Sequence, residues 1–181
     1  ERLALDLDNA FYGVAEGLVT SFKEQDDFEG FKLAAIMNFG LDTQITESGF
    51  KSGNAQHLSD QLYQEATARY QQKMQGIAQQ AVPVFQNIRT SQGMHIENVV
   101  VPFTDGRRGI NVLSNMQKTI ETDGRELTNA LERTITLALI DDTWKEHLRA
   151  MDDLKQSVQT AYLEQKDPLV IYKQEAFGLF A

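Results

Sequence analysis

The chain has 181 residues, 41% of them hydrophobic and 24% charged, which is enough to bury a core in one domain or in one domain with an appendage. Its formal net charge of −9 argues against nucleic acid as the main partner, because phosphate binding relies on clustered Lys and Arg. The absence of cysteine excludes disulfides and cysteine zinc sites, and no apolar run is long enough to span a bilayer. Because neither Glu1 nor Ala181 resembles a natural terminus, we expect the sequence to be a fragment.

The first residues predict two helices. Apolar side chains recur every three or four positions over residues 2–23, which is the period of an amphipathic helix. Asp26 or Asp27 then provides an N-cap for a short helix that Gly40 ends. We expect these helices to pack on their neighbours.

A turn-rich segment and a long helix follow. Residues 41–53 are rich in turn formers, although Ile45 and Phe50 are apolar enough to anchor the segment on a core. The next apolar period covers residues 54–89 and contains Pro83, which we expect to kink or end the helix. Together these elements predict a small helical bundle.

Between the bundle and the C-terminal third, the hydrophobic pattern changes from helical periodicity to two short strands separated by a turn, which predicts a β-hairpin. Residues 98–103 read NVVVPF and are followed by a glycine-containing turn and a second short strand over 110–113. Pro102 restricts the first strand to an edge or a bulge. The turn carries Arg107 and Arg108 beside two glycines, so it is either a solvated hairpin tip, which we favour, or an anion cradle.

A long amphipathic helix is predicted from Arg125 to Ala161, because no proline or glycine interrupts this stretch. At 1.5 Å per residue it would be about 54 Å long, which is the length of a strut. Asp141 and Lys145 are spaced to form an ion pair on its surface. Its apolar stripe consists of Leu137, Ile140, Trp144, Leu148, Met151, Leu154 and Val158.

A second helix begins after a short polar connection. Asp167 provides the N-cap and Pro168 the favoured first-turn proline. We expect an antiparallel helical hairpin whose loop presents Tyr162 and Leu163. The apolar stripe of the first helix would then pack against the second helix of the same chain. The predicted packing residues of this hairpin are Trp144, which serves as the anchor, Leu148, Met151, Leu154, Val158, Tyr172 and Phe177. The fold class is therefore mainly α, with a helical bundle, a small β-hairpin and a long-helix hairpin.

Catalytic and metal chemistry find little support in the sequence. Nucleotide hydrolysis would need a phosphate loop of the type GxxxxGK[ST], which is absent, and no histidine stands in a Glu-x-x-His pair. We therefore expect no catalytic residue, no metal ligand and no enzyme activity in this chain.

The C-terminal third carries a family resemblance. The segments WKEHL, MD-x-L-[KR]-Q, QKDP and YK-x-E-x-F, within residues 127–181, resemble the C-terminal helical region of SecA, the motor subunit of bacterial preprotein translocation. The upstream half, with VPFTDG, is more loosely similar to the helical wing of SecA from the Bacteroidetes. The resemblance implies a helical wing-like domain over 1–124, with its β-hairpin near 98–113, and a helical scaffold with a two-helix finger, its second helix truncated, over 125–181.

The resemblance also implies a role. In that family the finger points into the cytoplasmic mouth of the SecY channel, and a bulky loop residue, usually tyrosine, contacts the translocating polypeptide. That position falls on Leu163, whereas the tyrosine of this chain is Tyr162, so either side chain is a candidate. The implied partners are the SecYEG channel, unfolded preprotein and the upstream SecA motor domains. ATP and Mg would belong to that full-length parent and no cofactor to this chain, which would be cytoplasmic and peripheral at the inner face of the plasma membrane.

One alternative stays open. The stripe from Leu137 to Val158 partly fits a coiled-coil heptad, with His147 at a position where a strict repeat needs an apolar residue. The chain would then be a helical interaction module or coiled-coil adaptor unrelated to translocation, and it would form a homodimer.

Overall fold

The computed structural model describes residues 2–92, 96–161 and 167–180, which form seven α-helices and one two-stranded antiparallel sheet. The prediction of a mainly α chain with a small β-hairpin is confirmed. The elements are α1 (Arg2–Glu24), α2 (Phe28–Phe39), α3 (Glu47–Ser52), α4 (Ala55–Gln92), β1 (Asn98–Thr104), β2 (Gly109–Asn115), α5 (Met116–Glu121), α6 (Arg125–Ala161) and α7 (Pro168–Phe180).

The chain divides into two compact units. The first consists of Glu1–Val101 and Leu113–Asn129, and the second of Pro102–Val112 and Ala130–Ala181. This division differs from the predicted domains in two respects, because α6 belongs to both units and the distal half of the β-hairpin groups with the second. Naming a wing and a scaffold along these lines stays a prediction.

The core of the first unit is built from α1, α2, α3 and α4. Val19, Phe31 and Leu62 are fully buried, and Phe50 is almost so. The rings of Phe31 and Phe50 stack with their centroids 4.7 Å apart. Burying side chains of this size contributes roughly 1.5–3 kcal/mol each, so these residues define the bundle. Ile45 is also buried, which anchors the connection before α3 as the sequence predicted.

The ends of α2 are held by its capping residues. Of the two candidate N-caps, Asp27 is the one used, since its Oδ1 accepts a hydrogen bond from Gly30 N at 2.9 Å. Asp26 lies just outside the helix with a φ of 51°. At the other end, Gly40 N donates to Ile36 O at 2.9 Å, which satisfies one of the terminal carbonyls.

A short helix, α3, lies within the segment that the sequence predicted as turns. Thr46 caps its start by accepting a hydrogen bond from Gly49 N at 3.2 Å. The ammonium of Lys23, on α1, donates to Phe50 O at 2.8 Å and to Gly53 O at 2.5 Å. A cation at the carbonyl end of a helix stabilises it, so α3 is fixed from both ends.

We expected Pro83 to kink or end the long helix, and it does not end it, because α4 continues through this residue to Gln92. A proline inside a helix removes one hydrogen bond and costs about 3 kcal/mol. Ala78 and Phe85, on either side of Pro83, are 9% and 2% exposed, and their burial offsets that cost.

The hairpin strands are slightly longer than predicted. Val112 and Ser114 alternate with exposed neighbours along β2 and are both buried. The hydroxyl of Ser114 lies 2.7 Å from that of Thr119, so this buried polar side chain is satisfied at the start of α5. Met116 N donates to Glu97 O at 2.9 Å, which extends the pairing by one further bond.

Candidate functional site

The long helix α6 starts at a fixed turn. Gly124 has a φ of 85°, and a Cβ at this position would lie 2.6 Å from the Cβ of Ala78, so only glycine fits without strain. Thr122 Oγ1 accepts a hydrogen bond from Glu126 N at 3.0 Å, and Leu127 is fully buried. From this start α6 runs for 37 residues, about 56 Å at 1.5 Å per residue.

The middle of α6 displays an apolar surface, which we call the α6 stripe: Leu137, Ile140, Trp144 and Leu148. These side chains are 60%, 59%, 54% and 47% exposed, respectively. The sequence predicted that α7 would cover this face. The described part of α7 has 13 residues and is about 20 Å long. Coverage of the α6 stripe by the helix that begins at Pro168 stays a prediction.

The remaining predicted packing residues differ in burial. Leu154 and Val158, near the end of α6, are 6% and 7% exposed. Met151 on α6 and Tyr172 on α7 are half-buried, whereas Phe177 is 77% exposed. Of the seven predicted residues, the structure therefore buries two and partly buries two, and it leaves Trp144, Leu148 and Phe177 exposed. A packing role for these three stays a prediction.

The polar side of α6 is organised by local pairs. The predicted ion pair between Lys145 Nζ and Asp141 Oδ2 is present at 2.5 Å, and the hydrogen bond raises the pKa of Lys145 above its usual value. Trp144 stacks on His147, with ring centroids 5.4 Å apart and planes inclined by 25°. The WKEHL segment thus contains one ion-paired lysine and one stacked pair of rings.

The tip of the β-hairpin is held by its own side chains. The carboxylate of Asp105 accepts hydrogen bonds from Arg107 N at 2.8 Å and Arg108 N at 2.7 Å, which lowers the pKa of Asp105. The hydroxyl of Thr104 donates to Arg108 O and accepts from Gly106 N, both at 3.0 Å. The loop therefore has a defined backbone conformation, which fixes the positions from which the side chains of Arg107 and Arg108 extend.

One of these arginines pairs with α6. Arg108 Nη1 lies 3.3 Å from Asp142 Oδ2, within the second unit. The two side chains are 79% and 57% exposed, so the pair is solvated. This observation agrees better with a solvated β-hairpin turn than with an anion-binding site formed by the two arginines. The sequence did not predict this pair. Its two residues are 34 positions apart and belong to different elements, so no local pattern brings them together.

The start of α7 is well defined. Pro168 is its first residue, and Asp167 Oδ1 accepts a hydrogen bond from Leu169 N at 2.9 Å. The backbone oxygen of Asp167 also accepts from Val170 N and Ile171 N, at 3.2 and 3.3 Å. This capping fixes the direction in which the chain enters α7.

The predicted polypeptide-contacting residues Tyr162 and Leu163 lie outside the described residues, in the segment 162–166 that we call the tip. The described helices reach it from both sides, since α6 ends at Ala161 and α7 begins at Pro168. The contact of the tip with a substrate polypeptide stays a prediction.

Within the described ranges, no group of three or more His, Asp and Glu side chains is arranged to hold a metal ion. None of the described helices is long and apolar enough to cross a membrane. The assignment of ATP and Mg to a longer parent stays a prediction.

The described residues define a mainly α protein with a helical bundle, a 37-residue helix and a further helix that begins at an Asp-Pro cap. The chain belongs to the SecA Wing and Scaffold domain family, which matches residues 2–181. Three relatives from the Bacteroidetes, each named protein translocase subunit SecA, confirm the resemblance. They come from Christiangramia forsetii (44% identity), Cytophaga hutchinsonii (44%) and Flavobacterium psychrophilum (41%), each over 180 residues and 99% of this chain. The chain spans 16% of the length of these relatives. No solved structure matches it.

Proposed function

We propose that this chain is the non-catalytic coupling region of a SecA translocation motor. It contacts the SecYEG channel and the translocating preprotein, and it transmits ATP-driven movement of the upstream motor domains to the polypeptide. The observation that carries the proposal is the family match over residues 2–181, together with relatives named as subunits of a protein translocase. ATP and Mg would bind in the remainder of the longer protein, which would act in the cytoplasm at the inner face of the plasma membrane.

The geometry of α6 and α7 supports a mechanical role. Residues Arg125–Ala161 form one helix without proline or glycine, so its hydrogen-bonded ladder is continuous over its length. The tip connects its end to Pro168, where the cap at Asp167 starts α7. Movement of α6 along its axis would carry the tip with it.

The composition of the tip suits a substrate of variable sequence. Tyr162 and Leu163 are bulky and apolar, whereas the other three tip residues are polar. Contacts made by an aromatic or aliphatic surface are not directional, so they serve polypeptides of many sequences. A site of this kind needs no pocket and no fixed hydrogen-bond donor.

A photo-crosslinking experiment tests the substrate contact. A photoreactive amino acid is placed at position 162, 163 or 118 of the full-length protein, and a preprotein is arrested during transport. Position 118 is the control, because Lys118 is exposed on α5, in the other unit. We expect adducts with the preprotein from 162 or 163 and none from 118, and the stronger of the two identifies the contacting residue. Adducts from neither tip position would overturn the proposal.

The exposed α6 stripe favours a second candidate, a helical interaction module that dimerises through this face. About half or more of each of its four side chains is accessible to solvent. Sedimentation of the chain, with and without Leu137→Ser and Leu148→Ser, separates the two functions. A dimer that these substitutions dissociate would favour the interaction module, and a monomer at micromolar concentration would contradict it.

A further inference from the structure

The first unit contains an open groove of about 990 Å³ between α1, the end of α2 and the middle of α4. Three aromatic rings line it. Phe11 meets Phe39 and Tyr70 edge to face, with ring centroids 5.9 Å and 5.2 Å apart. Edge-to-face packing holds such rings in place, so the groove has a preformed apolar floor.

One rim of the groove is apolar and exposed. Ile36 and Met37, on α2, are 46% and 77% exposed and both line the groove. The helix that carries them uses its opposite side for the core, through the buried Phe31 and Ala35. Met37 therefore contributes little to the bundle itself, and a flexible thioether at this place adapts to apolar groups of different shape.

The other rim is basic. Arg69 and Lys73, one helical turn apart on α4, are both exposed and line the groove. Arg69 donates to Gly40 O at 3.4 Å and to Gln72 Oε1 at 3.2 Å, which leaves part of its five N–H donors for a ligand.

The charge of the groove contrasts with that of the chain. The sequence has 26 acidic residues and 17 Lys and Arg, yet no Asp or Glu is among the described residues that line the groove. The other long polar side chains there are amides, namely those of Asn38, Gln72, Gln75 and Gln79. A groove with two cations, no anion and an aromatic floor is complementary to a ligand that is both acidic and apolar.

We propose that this groove binds a segment of a second protein in which carboxylates alternate with bulky apolar side chains. A carboxylate of that segment pairs with Arg69 and Lys73, and its apolar neighbour packs on Phe11 and Tyr70 beside Met37. Arginine is suited to the pairing because its planar fork matches a carboxylate. This inference does not rest on the proposed role of the tip, since it uses only residues of the first unit.

Fluorescence anisotropy of the full-length protein with a labelled decapeptide that alternates Glu with Leu and Phe tests the charged rim. Lys73→Glu replaces an attraction with a repulsion, so we expect the Kd of the peptide to rise at least fivefold. Lys118→Glu is the matched control, because this lysine is exposed in the same unit but does not line the groove, and we expect it to leave the Kd unchanged.

The apolar rim is tested on the same helix. Met37→Gln should also raise the Kd severalfold, whereas Leu33→Gln should not, because Leu33 is 58% exposed on α2 but lies outside the groove lining. Both side chains are exposed, so we expect both variants to fold, which circular dichroism checks.

Several results would overturn the inference. One is a full-length protein that does not bind the peptide, which would mean that another part of the chain covers the groove. Another is equal binding of a peptide with Lys in place of Glu. A third is self-association of the protein that Lys73→Glu abolishes, which would identify the occupant as a second copy.

Discussion

Arg108 Nη1 lies 3.3 Å from Asp142 Oδ2, and this contact joins the tip of the β-hairpin to the middle of α6 within the second unit. Asp142 directly follows Asp141, the partner of Lys145, and precedes the exposed Trp144 by two residues. The tip of the β-hairpin is therefore joined by one ion pair to the part of α6 that carries WKEHL, and both partners of the pair remain solvated.

A double-mutant cycle measures what this pair contributes. Exposed ion pairs contribute little because water screens them, so we expect Arg108→Ala and Asp142→Ala to be coupled by less than about 1 kcal/mol in the free energy of unfolding. The coupling should shrink further at high salt. Denaturant unfolding provides the four values. Arg107→Ala is the control, and it should show no coupling to Asp142→Ala; a coupling above about 2 kcal/mol would mean that the pair is desolvated instead.

Replacing glycine by alanine in the first unit should raise the free energy of unfolding at some positions and lower it at another. A Cβ added at Gly13 or Gly17, both inside α1, would meet nothing within 4 Å. Alanine favours a helix over glycine by up to about 1 kcal/mol, so Gly13→Ala and Gly17→Ala should each stabilise the chain. Gly124→Ala should destabilise it, because φ is 85° there and the new Cβ would lie 2.6 Å from that of Ala78. Urea unfolding of the three variants tests this, and a destabilising Gly13→Ala would contradict the open surface of α1.

The conformation of the hairpin tip should depend on pH through Asp105. Backbone hydrogen bonds from Arg108 and Arg107 lower its pKa from the ordinary 3.8, so the ionised carboxylate stabilises the folded loop. That contribution is complete above the pKa of the unfolded chain and is lost as the pH falls through the lower folded pKa. We expect the NMR shifts of the two arginine amides to titrate together with a midpoint below 3.8.

Two variants separate the charge of Asp105 from its hydrogen bonds. Asp105→Asn keeps an acceptor oxygen but has no charge to titrate, so this titration should disappear while the turn persists. Asp105→Ala removes the acceptor as well and should disorder the turn at every pH. A titration that survives in Asp105→Asn would show that another group is responsible.

Long periodic segments could be predicted from the sequence, whereas short or non-local features could not. The bounds of α6 at Arg125 and Ala161 agree with the prediction, because an uninterrupted apolar period specifies a helix. The six residues of α3 are too few to show a period, and the helix depends on Thr46 and on Lys23 from α1. The sequence left open whether Pro83 kinks or ends α4, because the burial of Ala78 and Phe85 around it is a tertiary effect.

The candidate site was predictable to a similar extent. The cap at Asp167 and the start at Pro168 follow from local chemistry and can be read from two residues. The period of the α6 stripe identifies a face but not what covers it, which is why Trp144 was expected to be packed and is 54% exposed. The contact between Arg108 and Asp142 depends on the fold of the second unit, so no sequence pattern indicates it.

The coupling of ATP hydrolysis to transport tests the proposed function most directly. In the full-length protein, Tyr162→Gly combined with Leu163→Gly removes the apolar side chains of the tip. Glu164→Gly combined with Gln165→Gly is the control, because it introduces two glycines into the same segment but keeps those side chains. ATP hydrolysis and preprotein transport into vesicles are measured for both variants. We predict that the first variant hydrolyses ATP at close to the normal rate but transports at least tenfold less preprotein per ATP, while the control transports normally. Transport by the first variant equal to that of the unchanged protein would contradict the proposed function.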